Sequence, residues 1–188
     1  STPGAICGGS PPGAVVLRRT HERMKEHVVE AAAWPSELPL PHPRPHLLAV
    51  DVDADALSGT VPHLNNVEVV RLVDRVAEHH LESLGWSRRA MAAEGRMWFV
   101  ARHEIDYRAE SFGGDRLILA TWVRRYGRTT AVRETRIARP RDRVLVAEAS
   151  TRWVHMDLET RRPTRIPPEA MAACPPESSD RDSPETAR

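Results

Sequence analysis

The stretch from His63 to Gly85, HLNNVEVVRLVDRVAEHHLESLG, limits what this chain can fold into more than any other. Val69, Val70, Val73, Val76, Ala77, Leu81 and Leu84 recur at three- and four-residue spacing, which winds them into one broad apolar stripe at 3.6 residues per turn. Asn65 or Asn66 stands where a side-chain oxygen can cap the first free N–H groups, Glu68 suits the positive end of the helix dipole, and Gly85 supplies a stop. A stripe that wide must be covered, so the rest of the chain has to provide the surface that buries it.

That surface reads as sheet. His46–Asp53 alternates as a strand, and DALSGTVP (Asp55–Pro62) is a loop that delivers the backbone to the helix start. After Gly85 a short helix and turn fit Trp86–Arg96. Four strands follow: Trp98–Tyr107, with Phe99, Ala101, Ile105 and Tyr107 on one side; Leu117–Val123, apolar throughout; Thr129–Ile137, forming a hairpin with it; and Val144–Met156. Strand, loop, long helix and four antiparallel strands make an α+β pattern in which one sheet wraps most of a single helix.

The flanks differ in composition. Residues 1–45 read as an N-terminal extension: Gly, Pro and Ser up to Gly13, a short amphipathic helix within Thr20–Trp34 on the spacing of Met24, Val28 and Ala32, and a linker, PSELPLPHPRP, whose prolines forbid helix and central strand. The folded domain spans residues 46–170. Residues 171–188 run into CPPESSDRDSPETAR, too polar and Pro-rich to bury much apolar surface, and are expected to be a disordered tail.

A formal net charge of +1 over 188 residues offers no global field for nucleic acid. Cys7 and Cys174 lie in opposite terminal segments, which suggests neither a disulfide framework nor a metal cluster. No apolar run approaches the roughly 18 residues that span a bilayer, so the expectation is a soluble, cytoplasmic protein. Asp51, Asp53 and Asp55 alternate like metal ligands but lack the Gly and distal Glu of a calcium loop, and His79-His80 has no partner at ligand spacing. They read as solvated acids and a partly exposed helix face; no metal is expected.

HLNNVEVVRLVD resembles the His-x-Asn-Asn helix entry of hotdog-fold thioesterases of the 4-hydroxybenzoyl-CoA and acyl-carrier-protein type. RHEIDYRAESFGGDRLILATWVRRYGRTT (Arg102–Thr130) and WVHMDLETRRPTRIPPE (Trp153–Glu169) are similar to that family in order and spacing. The resemblance implies a hotdog fold and hydrolysis of an acyl-CoA or acyl-[acyl-carrier-protein] thioester. It requires no separate cofactor, because coenzyme A or phosphopantetheine arrives as part of the substrate. The implied partners are the acyl thioester, an acyl carrier protein, and a second copy of the chain, since a lone hotdog leaves a sheet edge open; a homodimer or homotetramer is expected.

On that resemblance the candidate catalytic residues are Asp55, Ser58, His63, Asn65 and Asn66. Backbone at Asn65 and Asn66 would stabilise the oxyanion formed when a thioester carbonyl is attacked. Family members place an Asp before a Gly ahead of the His; aligned through Gly59, that position holds Ser58, and the approach to His63 is one residue longer. Ser58 lacks an activating base beyond His63, so Asp55 with His63 acting on water, or a base from elsewhere such as Asp74, stay open. The missing Asp also leaves an alternative: a catalytically weak hotdog protein that binds acyl thioesters or serves as a structural subunit.

Overall fold

A computed structural model describes residues 24–28 and 33–177. The expectations for Ser1–Gly13, Cys7 and residues 178–188 lie outside the described residues. The expected helix forms as α1, Asn66–Ser83. It ends with Gly85 at φ +83, the Gly85 amide donating to Glu82 O and the Trp86 amide to Leu81 O. This backward pair of bonds satisfies the last carbonyls and needs the left-handed conformation that glycine adopts without strain.

Among the described residues, six strands form one antiparallel sheet: β1 (Glu26–Val28), β2 (His46–Asp51), β3 (Arg96–Tyr107), β4 (Arg116–Tyr126), β5 (Thr130–Arg139) and β6 (Val144–Asp157), in the spatial order β1-β2-β4-β5-β6-β3. A short helix, α2 (Arg88–Ala93), precedes β3, and another, α3 (Pro168–Ala173), follows the sheet. Val69, Leu72, Val73 and Val76 of α1 pack against Leu48, Val50, Leu117, Leu119 and Ile137 of the sheet's inner face, closing the main core. Burying a Val or Leu side chain is worth roughly 1.5–3 kcal/mol, so this interface is the main adhesive between helix and sheet.

The N-terminal expectation needs correcting. Glu26–Val28 is a strand, pairing antiparallel with β2 from Glu26 opposite Val50 to Val28 opposite Leu48. A lone short helix is marginal in water, whereas the edge of β2 offers backbone partners at once. Glu26 adds a two-point ion pair to Arg75 of α1, both N···O distances being 2.8 Å. Pro35–Pro45 has neither helix nor strand, but it does more than link. Leu38 and Leu40, with Trp34, cover the outer sheet face at Leu47, Ile118 and Trp122.

A bulge between Val100 and Arg102 shifts the register of β3 against β6. Val100 therefore faces the same side as Ile105, and Phe99 is turned outward at 42% exposure. Strict alternation, which joins Phe99 to Ile105, fails at that extra residue.

The tail is also corrected, for residues 171–177. Cys174 is buried, the Tyr126 hydroxyl donates to its carbonyl at 2.9 Å, the Glu177 amide donates to Val123 O at 2.8 Å, and Trp122 Nε1 donates to the Glu177 carboxylate at 2.7 Å. Composition does not reveal this, because a few donors and acceptors on the sheet, not apolar surface, hold the segment. Truncation at Ala173 is expected to orphan these groups at roughly 1–3 kcal/mol each and to lower Tm by on the order of 10 °C. A chain ending at Glu177 retains all three contacts and should melt above the chain ending at Ala173 in a calorimetric scan.

Candidate functional site

The start of α1 is held in place by the chain on either side of it. Asp53 Oδ1 accepts from the amides of Asp55 and Ala56, capping a single 3-10 turn over Ala54–Ala56. The following loop closes on itself: Leu57 bridges Leu64, and the Ser58 amide donates to His63 O at 2.8 Å. The Asn65 amide then donates to Ala56 O at 2.9 Å, and the Leu64 amide to Ser111 O at 2.6 Å. A segment that delivers a helix start is thus pinned at both of its ends.

The two asparagines divide the work. Asn65 is the cap, its Oδ1 accepting from the Val67 amide at 3.0 Å while its carbonyl accepts from Glu68 and Val69. Asn66 is the first helical residue and is exposed; among the described residues nothing accepts from its amide. That N–H points out of the positive end of an 18-residue helix, where an oxyanion is best stabilised.

Asn66 opens on a cleft shared with His63, Tyr107, Glu110 and Ser111. His63 Nδ1 and Ser111 Oγ are buried there with no hydrogen-bond partner among the described residues. Buried polar atoms are nearly always paired, so two orphans in one cleft mark a place built for a ligand or water. The Tyr107 hydroxyl reaches Asn66 O at 3.5 Å. Glu110 is anchored through its carbonyl by the buried Arg139, which also pairs with the buried Asp115 at 3.2 Å.

Of the five sequence candidates, His63 and Asn66 share this cleft, Asn65 supports it from the cap, and Ser58 is beside His63 through the backbone. Asp55 is not brought to His63. It is exposed and faces a separate acidic groove with Glu26, Asp53 and Glu68. Asp74 is ion-paired to Arg88 at 2.7 Å. Tyr107, Glu110 and Ser111 carry no sequence signal for this site, since nothing local in RHEIDYRAES ties them to a helix start some forty residues earlier.

His79 and His80 are half-buried and are packed by other elements. His46 Nε2 and His79 Nδ1 are 2.8 Å apart, and the His46 and His80 rings stack at 4.7 Å, with His42, Arg133 and Cys174 closing the group from other elements. Burial first, then the neighbouring histidines and Arg133, push the His46 pKa down to about 4 and that of His80 to about 2. Both rings are neutral in the fold but take a proton near pH 6.5 once unfolded. Unfolded chains therefore bind more protons below that pH, and stability is lost as pH falls from about 6.5 toward 4, with His80 acting further down. His80 contributes a slope approaching about 1.4 kcal/mol per pH unit. Urea midpoints across pH 7 to 4 should fall accordingly, and fall less in His80→Phe.

A family model described as the thioesterase-like superfamily matches residues 50–174, more than half of the chain. No curated protein matches it by sequence. Among solved structures it is similar to Slr0204, a 1,4-dihydroxy-2-naphthoyl-CoA thioesterase from Synechocystis, at 18% identity and TM-score 0.64, covering 69% of this chain and 95% of that one. It is also similar to a DHNA-CoA thioesterase from Staphylococcus aureus (18%, TM-score 0.62, 68% and 86%) and to SAV2348 from the same organism, solved in complex with CoA (13%, TM-score 0.65, 72% and 85%). The sheet wrapped on α1 is accordingly the hotdog fold, and the chain belongs to the thioesterase-like superfamily.

Proposed function

We propose that the chain hydrolyses an acyl-CoA or acyl-[acyl-carrier-protein] thioester in the cleft at the start of α1. The observation that carries this is the unpaired Asn66 amide, on a helix dipole, beside a His63 Nδ1 that has no partner. Water between His63 and the thioester attacks the carbonyl carbon as His63 Nδ1 takes its proton. The carbonyl oxygen gains the negative charge and is held by the Asn66 N–H. Collapse re-forms the carbonyl, breaks the C–S bond, and His63 returns the proton to the departing thiolate, giving acid and thiol. Glu110 and Ser111 flank the cleft and orient the water. A panel of acyl-CoA and acyl-carrier thioesters, short, long and aromatic, tests this by thiol release. Binding without turnover across the panel would favour the catalytically weak binding protein that Ser58, in place of the family's Asp, allows.

The functional unit is a dimer. β3 ends the sheet, no described strand pairs with its outer edge, and Phe99 and Val100 beside it are 42% and 38% exposed. A twelve-residue open edge of this kind is a template for pairing. Light scattering is expected to give about twice the 21.1 kDa chain mass at micromolar concentration, and a monomer there would remove the dimer from the reading.

A further inference from the structure

At the other end of α1, a narrow, partly open cavity of about 50 Å³ lies between α1, α2, α3 and strands β3 to β6. Its walls include Leu81, Leu84, Met91, Met97 and Trp98. Glu78 and Arg88, which also line it, pair with each other at 3.0 Å. The remaining charge is unmatched. Arg133 is 5% exposed, and it donates to His80 Nδ1 at 3.0 Å and Thr121 Oγ1 at 3.3 Å, with Cys174 Sγ at 4.0 Å. None of these is a carboxylate, and among the described residues no Asp or Glu is ion-paired to it. His80 supplies no counter-charge either: by accepting at Nδ1 it keeps its proton on Nε2, which also disqualifies it as a base toward Cys174.

A second donor lines the same cavity. Trp153 Nε1 is buried without an acceptor. Ala131 pairs in register with Trp153, and Arg133 stands two residues along on the same face, so the indole and the guanidinium are diagonal neighbours across β5 and β6. A buried cation without an anion and a buried N–H without an acceptor are each costly. One group relieves both: an anionic acceptor at the end of an apolar ligand.

We infer that this cavity receives the acyl group of the substrate and that the group carries a carboxylate at its far end, held by Arg133 and Trp153 Nε1. The inference rests on the thioester reading above and names the substrate class: ω-carboxyacyl thioesters. Cleft and cavity lie toward opposite ends of α1 in one protomer: Asn66 opens the cleft, and the cavity is lined from Ala77 onward, about 17 Å further along the helix. Two-fold pairing through the open β3 edges is antiparallel, so it sets the Tyr107 end of one strand, next to its helix start, beside the Arg96 end of its neighbour, next to the cavity. One protomer then contributes the oxyanion site and the other the acyl pocket.

The test compares suberyl-CoA with octanoyl-CoA, of equal carbon number, in the full chain, Arg133→Met and Trp153→Phe. Monomethyl suberate and dimethyl suberate are titrated calorimetrically in parallel. The wild type should prefer suberyl-CoA in kcat/KM by about tenfold or more, the scale of a charge-assisted hydrogen bond, and should bind the monoester but not the diester. Arg133→Met should bring the preference to about one and abolish monoester binding. Trp153→Phe, whose lost N–H has no protein partner, should weaken both severalfold while folding normally, and it decides the matter if Arg133→Met does not fold. Equal or better hydrolysis of octanoyl-CoA by the wild type, or an unchanged preference in the variants, overturns the inference while leaving thioester hydrolysis standing. Monoester binding that depends on Arg133, without turnover of any thioester, upholds the pocket and overturns the hydrolytic reading instead.

Discussion

Asn66→Pro is expected to lower kcat by roughly two to three orders of magnitude while leaving Tm near the wild-type value. Proline is favoured at the first helical position, where its fixed φ suits the helix and its missing N–H has no intrahelical acceptor. The preceding Asn65, at φ −66 and ψ 137, already has the extended backbone that a following proline requires. The substitution thus removes the unpaired Asn66 N–H along with the exposed carboxamide, and Asn66→Ala controls for the loss of the side chain. Removing an oxyanion donor typically costs about 10²–10³ in kcat. Asn66→Ala keeps the amide and should cost less than about tenfold, whereas Asn65→Ala, which removes the cap on the Val67 amide, should cost about 1 kcal/mol of stability. If Asn66→Pro folds and retains full turnover, the oxyanion does not sit at this helix start.

His63→Ala is expected to reduce kcat by about 10²–10⁴ with little change in KM, because a general base acts in the transition state and not in ground-state binding. Stability should change little, since the Nδ1 that is lost has no hydrogen-bond partner to strand. A variant that folds and keeps full turnover would assign the base elsewhere, with Glu110, which lines the same cleft, the next to be replaced.

Elements with strong local signals are legible in the amino-acid sequence. The periodicity from Val69 to Leu84, a cap among the asparagines and Gly85 as the stop specify α1, and five of the six strands stand out by alternation or apolar runs. The His-x-Asn-Asn entry marks where the helix starts. The elements that are not legible share a cause. The piece at Glu26–Val28 is too short for period to separate helix from strand, and it pairs only because β2 has an open edge. Residues 171–177 look unfoldable by composition, yet Trp122 and Val123 give Glu177 two partners that lie more than fifty residues away. Asp55, near His63 in the chain, is turned to a different groove by the 3-10 turn, while Ser111 is brought to the helix start by one backbone bond.

Sequence by itself therefore determined the helix, its capped start, most of the strands and the family, because periodicity, capping and turn chemistry act over a few residues and leave their mark there. Only the tertiary structure decided which of the two asparagines keeps a free amide, which side chains join His63, and that Arg133, His80 and Trp153 meet behind an apolar wall. Those outcomes depend on strand register and on what a folded sheet buries, and a buried charge shows its missing partner only when everything around it is in place.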